Sequence, residues 1–151
     1  MSFIEEKVVY NLPVGDVLIL ANENHLKEVI FLNYQVFHKS FKISKNNKIL
    51  KKAEEFLINY FENKKWYVFE YINYNNLNPI LRKLLDIPFG NYLYYSNFNK
   101  FPRAIGRILS SNKLPIFIPC HRVISKNSIG GYTPSIEIKK ILLKHEGIIP
   151  F

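Results

Sequence analysis

One cysteine stands in the 151 residues, Cys120, and it lies in Pro119-Cys120-His121-Arg122-Val123 directly after the apolar run Leu114-Pro115-Ile116-Phe117-Ile118. A lone cysteine closes no internal disulfide, so its interest lies in whether its thiolate can be made reactive. A free cysteine after an apolar run is most often a small buried hydrophobe. The histidine and arginine that follow Cys120 favour the reactive reading instead, because a histidine that takes the thiol proton raises the nucleophilic fraction. A third group belongs with these two. Leu142, Leu143 and Glu146 share one side of a C-terminal helix, so the Glu146 carboxylate is turned at least partly inward, where an unpaired charge is costly. His121 is its natural partner. Cys120, His121 and Glu146 then form a nucleophile, a base and a carboxylate that orients the base. Adjacent side chains of an extended segment point to opposite faces, so Cys120 and His121 need a bridging water or a tight turn at Pro119 to act together.

The elements that must position these residues fall into two groups. Val8 to Tyr10, Val17 to Ala21 and Glu28 to Leu32 are β-branched and aromatic runs separated by Leu12-Pro13-Val14-Gly15-Asp16 and Asn22-Glu23-Asn24, which predicts a small antiparallel meander. From about Lys48 to Asn63, Ala53, Phe56, Leu57, Tyr60 and Phe61 recur at helical spacing behind a cap at Asn46 or Asn47. That helix covers the sheet, and Trp66 to Ile72 reads as a further strand. The polar break Asn73-Tyr74-Asn75-Asn76 divides the chain into an N-terminal structural unit, 1–74, and a C-terminal unit, 75–151, made of short helices.

In the second unit Pro79 opens a helix with Ile80, Leu81, Leu84 and Leu85 on its apolar face, and the helix stops before Pro88-Phe89-Gly90. Asn99-Lys100-Phe101-Pro102 is a second start signal. Behind it Phe101, Ala104, Ile105, Ile108 and Leu109 form the inward face, which leaves Arg103, Gly106, Arg107 and Ser110 on the other. Such a face is an ordinary solvated surface, or a recognition surface whose glycine admits a backbone while the arginines reach phosphates. The last helix starts with Thr133 as cap and Pro134 in its first turn, carries Glu137 near its positive end and stops at Gly147.

Composition sets the bounds. With 48% hydrophobic and 15% aromatic residues the chain builds a real core rather than a disordered tail. No stretch approaches the roughly 20 apolar residues of a membrane helix, and Glu5, Glu6 and Lys7 are unlike a signal peptide. A cytoplasmic protein is expected. The formal net charge of +9 favours a polyanionic partner without specifying it. His25, His38 and His145 carry no usable signal.

Ile118-Pro119-Cys120-His121-Arg122-Val123-Ile124 resembles the active-site signature of the O6-alkylguanine-DNA alkyltransferases, which repair alkylated guanine by moving the alkyl group to their own cysteine. The resemblance runs back through Ile87-Pro88-Phe89-Gly90, Arg103-Ala104-Ile105-Gly106 and Asn112, and forward through Gly131-Tyr132 and Lys140 to Glu146. It implies an α+β protein: a ribonuclease H-like N-terminal subdomain with a small antiparallel sheet and a covering helix, then a winged helix-turn-helix-like C-terminal subdomain. It implies a methylated-DNA--protein-cysteine methyltransferase that acts once, on O6-alkylguanine and O4-alkylthymine in duplex DNA. It further implies a monomer that reads the minor groove with little sequence preference and uses no cofactor. The zinc ligands of some relatives have no counterpart, since cysteine is absent elsewhere.

By the same resemblance Cys120 accepts the alkyl group, His121 is the base acting through a water and Glu146 orients it, while Asn112 braces the turn that holds the active-site segment. Arg103 enters the duplex in place of the flipped nucleotide, and Tyr95 helps rotate that nucleotide out. Val123, Tyr132 and Thr133 bind the base, and Ala104, Gly106, Arg107 and Arg122 face the DNA. Between Tyr95 and Arg103 the chain is shorter than the family pattern, so the first helix of the helix-turn-helix is abbreviated or replaced by a loop. Pro134 stands where the family has small residues and stiffens one pocket wall. Two other functions fit the residues: a Cys-His-Glu hydrolase or acyltransferase, and a lesion-binding module without catalysis. The acceptor cysteine argues against the second.

Overall fold

The computed structural model describes residues 3–98, 101–132 and 135–148, and the chain divides into a unit of residues 1–73 and a unit of residues 74–151. In the first, β1 (Glu5–Leu12), β2 (Gly15–Ala21) and β3 (Leu26–Phe31) form an antiparallel meander. A short β4 (Lys42–Ile43) adds to the other edge, parallel to β1, for the order β3-β2-β1-β4. Side chains alternate along each strand, so Leu18, Leu20 and Ile30 share one face, where Val8, Phe37 and Phe41 pack on them. The opposite face, with Val17, Ile19 and Ala21, is the one left for α1 (Lys48–Asn63), which contacts β1, β2 and β3.

The helix begins where the sequence places it. Asn47 is its cap, its side-chain oxygen accepting from the Ile49 and Leu50 amides at 2.9 and 3.1 Å. Ile49, Leu50, Ala53, Phe56, Leu57, Tyr60 and Phe61 are buried. The expected strand over Trp66 to Ile72 does not form. Its buried residues are Phe69 and Ile72, three apart, so the segment lacks the two-residue alternation of a strand despite its aromatic content. It is anchored near the sheet by the Leu26 amide donating to the Tyr71 carbonyl at 2.7 Å, and its rings pack edge-on to Phe56.

The second unit holds α2 (Pro79–Leu84), β5 (Leu93–Tyr94), α3 (Pro102–Ser110), β6 (Val123–Ile124) and α4 (Ile136–His145). Pro79 opens α2 behind Asn78, whose side chain accepts from the Ile80 amide at 2.8 Å. β5 pairs parallel to β6, and the shortened segment between Tyr95 and Arg103 opens after it with a single 3₁₀ turn at Tyr95–Asn97, while Asn99 and Lys100 lie outside the described residues. Two boundaries differ from expectation. Phe101, assigned to the inward face of α3, is 84% exposed at the N-cap, and only Ile105 and Leu109 of that helix are buried. Helical phase does not extend to a cap residue, whose backbone is extended. The cap of α4 is Ser135, accepting from the Glu137 amide at 3.2 Å, so α4 starts later than Thr133 and Pro134, which lie outside the described residues. Gly147, at φ 76°, ends α4 as expected. No helix among the described residues is long and apolar enough to cross a membrane.

Candidate active site

The segment after α3 is held by one side chain. Asn112 accepts from the Leu114 amide through Oδ1 at 2.9 Å and donates through Nδ2 to the Ile118 carbonyl at 2.9 Å and to Cys120 Sγ at 3.2 Å. Between these contacts the run Leu114 to Ile118, read in sequence as an apolar stretch, is a buried turn rather than a strand. Ile116 adopts φ 73° inside it, with no exposed surface. A β-branched residue there carries strain of about 1–3 kcal/mol, which persists only where packing over-determines the backbone.

Pro119 then starts a 3₁₀ turn, Cys120–Arg122, closed by the Arg122 amide donating to the Pro119 carbonyl at 3.0 Å. The turn spreads three consecutive side chains around an axis instead of alternating them across a strand. Cys120 is 6% exposed and opens on the pocket described below, while His121 and Arg122 have no exposed surface.

Behind the turn lies a fully buried ion cluster. His121 Nε2 meets Glu146 Oε2 at 2.5 Å. Arg122 grips the same carboxylate with two donors, Nε to Oε1 at 2.8 Å and Nη2 to Oε2 at 3.2 Å, and its Nη1 donates to the Ile87 carbonyl at 2.7 Å. The Gly90 amide donates to Glu146 Oε1 at 2.9 Å, and the Phe89 ring lies 5.9 Å from the guanidinium carbon. Ile87-Pro88-Phe89-Gly90, known from sequence only as a matching motif, is thus the backbone and ring that seat this ion pair. The expectation that Arg122 faces DNA is corrected: it is buried and serves as the counter-charge of Glu146.

The electrostatics follow. Burial on its own would push the Glu146 carboxyl up, but His121 and Arg122 beside it hold it at about 2. Burial lowers His121 below its ordinary value against the pull of Glu146, so the ring is neutral. A neutral imidazole facing an ionised carboxylate donates its Nε2 proton, and Nδ1 is left as the bare lone pair. Nδ1 is buried and meets no hydrogen-bond partner among the described residues. Burial also pushes the Cys120 thiol up, opposed by the Asn112 hydrogen bond, the Lys139 charge and the Tyr132 hydroxyl. The resting group is a neutral thiol.

Lys139 is the residue that the sequence reading missed. It has no exposed surface, and its Nζ donates to the carbonyls of Val123 at 2.7 Å and Gly131 at 3.0 Å while lying 5.7 Å from the centre of the Tyr95 ring. Burial lowers it to about 8. The lysine matched in sequence was its neighbour Lys140, which is half-exposed and pairs with Glu137 at 3.7 Å. The signal was present: Lys139 lies seven residues before Glu146, two helical turns away on the same inward face.

Cys120 sits at one wall of a cavity of about 560 Å³, bounded by Tyr95, Tyr132, Gly131, Leu109 and the α3 residues Arg103 and Gly106. The Tyr95 ring lies against Gly130, where an added Cβ would come 2.6 Å from its hydroxyl at φ +79°, so only glycine fits. The hydroxyl donates to the Gly131 carbonyl at 3.5 Å. Along the mouth Arg103 and Arg107 are exposed, and Ala104 is half-buried. Thr133 lies outside the described residues.

A buried thiol beside a histidine-carboxylate pair, opening on an apolar pocket under a basic helix, defines a protein that can do chemistry through one activated cysteine. Two family profiles match the chain: the 6-O-methylguanine DNA methyltransferase DNA binding domain over residues 77–148 and the ribonuclease-like domain of the same family over residues 7–67. The chain belongs to the 6-O-methylguanine DNA methyltransferase family. It is similar to a methylated-DNA--protein-cysteine methyltransferase of Methanocaldococcus vulcanius, at 46% identity over 81 residues, 48% of this chain and 50% of the relative. The chain spans about half the length of the curated relatives it matches first. Among solved structures it resembles an O6-methylguanine DNA methyltransferase of Methanococcus jannaschii, with a TM-score of 0.63, 27% identity and coverage of 96% of this chain and 95% of that one. The fold also matches Mycobacterium tuberculosis OGT in complex with DNA, with a TM-score of 0.78, 21% identity and coverage of 97% and 95%.

Proposed function

We propose that this protein transfers the alkyl group of O6-alkylguanine in duplex DNA to Cys120, irreversibly and once per molecule. The observation that carries the reading is Cys120 itself, a buried thiol at the wall of an apolar pocket, bonded by Asn112 and backed by a neutral His121 locked to an ionised Glu146. A lesion on O6 lies inside the base stack, so the nucleotide is extruded, at a cost of a few kcal/mol that is smallest for a poorly paired base. Tyr95 and Tyr132 supply aromatic walls for it. Val123 offers the second lone pair of its carbonyl to the guanine amino group.

In the transfer step Cys120 Sγ attacks the alkyl carbon, the carbon–O6 bond breaks and its electron pair stays on guanine. The thiol proton passes through a bridging water to His121 Nδ1, and Glu146 stabilises the imidazolium that forms. Tyr132, which lines the pocket, donates its hydroxyl to the charge that grows on the leaving base. The product thioether is stable, so no second turnover follows. On the DNA side, Arg103 takes the space of the extruded nucleotide, while Ala104, Gly106 and Arg107 lie along the minor groove, where a helix without base-reading side chains tolerates any sequence.

Intact-mass measurement after incubation with a duplex containing O6-methylguanine tests the proposal. The protein gains one methylene in mass, the gain maps to Cys120 and Cys120→Ala abolishes it. No gain, or a gain that persists in the variant, removes the reading, and repeated turnover on an ester substrate would favour a hydrolase.

A further inference from the structure

The aromatic residue that the apolar pattern assigns to the interior of α3 stands outside it. Phe101 is 84% exposed, the most exposed of the large hydrophobic side chains described. It is not a loop-tip accident. Its backbone leads straight into Pro102, whose ring fixes the first helical residue, so Phe101 is carried at a stiff helix start rather than on a slack connection. Two residues further on is Arg103, exposed at the mouth of the Cys120 pocket, with Arg107 exposed one turn later.

The neighbours decide what the ring is for. Exposed arginines select a polyanion, and the part of a nucleic acid that accepts a phenyl ring is the face of a base. Residues two apart in the chain are separated by at most roughly 7 Å, which is about two rises of 3.4 Å in a duplex. Phe101 and Arg103 therefore reach the duplex no more than about two base steps apart. Apolar side chains that enter from the minor groove act as wedges that unstack one step and lower the cost of extruding a nucleotide.

We propose that Phe101 is a wedge, inserting from the minor groove and stacking on the base pair next to the gap that Arg103 fills. The proposal rests on the DNA-alkyltransferase reading above. It gives the shortened segment ahead of α3 a compensation: with a 3₁₀ turn in place of a full helix, the ring adds apolar contact to the duplex at the point where the base is displaced.

Three variants test it. Phe101→Ala slows methyl transfer from a duplex containing O6-methylguanine about tenfold, the loss of one base–aromatic stack, and leaves reaction with free O6-benzylguanine within about twofold. Its slope of log affinity on log salt is unchanged, since no phosphate contact is lost. Phe101→Leu, apolar but without a stacking face, falls between the two. Phe101→Trp keeps the duplex rate, and its added emission is quenched when duplex binds, against the parent protein in which Trp66 is the only tryptophan. Equal duplex rates for Phe101→Ala and the parent overturn the proposal. So does an equal loss on duplex and free base, which would place the ring's effect in the pocket. Failure of the parent to transfer from duplex at all would instead remove the reading beneath it.

Discussion

At the scale of the residue, Arg122 shows how a motif can mislead about direction. It follows the nucleophile and its base in the chain, and in a basic protein that position suggests contact with phosphate. Yet the 3₁₀ turn points it inward, where it neutralises Glu146 through two hydrogen bonds. A buried carboxylate that loses its only guanidinium is costly, so Arg122→Met lowers stability by about 3–5 kcal/mol, read as the shift in urea midpoint. The salt slope of duplex binding stays unchanged for whatever fraction remains folded. A fall of about one in that slope with little change in stability would return Arg122 to the DNA face. Arg122→Lys does not rescue, because an ammonium cannot supply the fork that spans both carboxylate oxygens.

At the scale of the element, α3 holds a glycine that its own fold does not need. A Cβ built on Gly106 meets nothing within 4 Å, and its φ is not in the left-handed region. Glycine in a helix interior costs about 0.5–1 kcal/mol relative to alanine. Gly106→Ala therefore raises the unfolding midpoint while weakening duplex affinity, two changes of opposite sign. If both improve together, the open face does not meet a backbone. Much of the site was legible in the sequence because the chemistry sits in short range: Cys120 and His121 are adjacent, and the phase that turned Leu142 and Leu143 inward carried Glu146 with them. What was not legible depended on tertiary contacts. The failed strand over Trp66 to Ile72 has the composition of a sheet residue run but the spacing of a packed loop. Lys139 was hidden because a lysine on an apolar face is by default a surface residue, until two buried carbonyls claim its donors. Phe101 was misplaced because a helical wheel says nothing of a cap.

At the scale of the whole molecule, the buried cluster ties stability to pH. Glu146 is held at about 2 in the fold, against roughly 4.3 for an unfolded glutamate. Its contribution is therefore complete above the unfolded value and lost as pH falls toward 2, about 3 kcal/mol in all. His121, also lowered, acts in the same direction, since the unfolded chain takes up its proton first as pH drops below about 6.5. The urea midpoint is thus expected to hold near neutrality and to decline from about pH 6.5 to 3, with the lower part of the decline absent in Glu146→Gln. A midpoint flat across that range would mean that the cluster is not ionised as described. The depth of Cys120 has another side. Under the proposed single transfer, a cysteine consumed at its first use would be lost to whichever electrophile arrived first, a stray oxidant or small alkylating agent as readily as a damaged base. With its proton kept on by burial and only 6% of its surface open, the thiol is slow toward encounters that bring no base into the pocket. Dormancy of this kind trades speed against small molecules for shelf life.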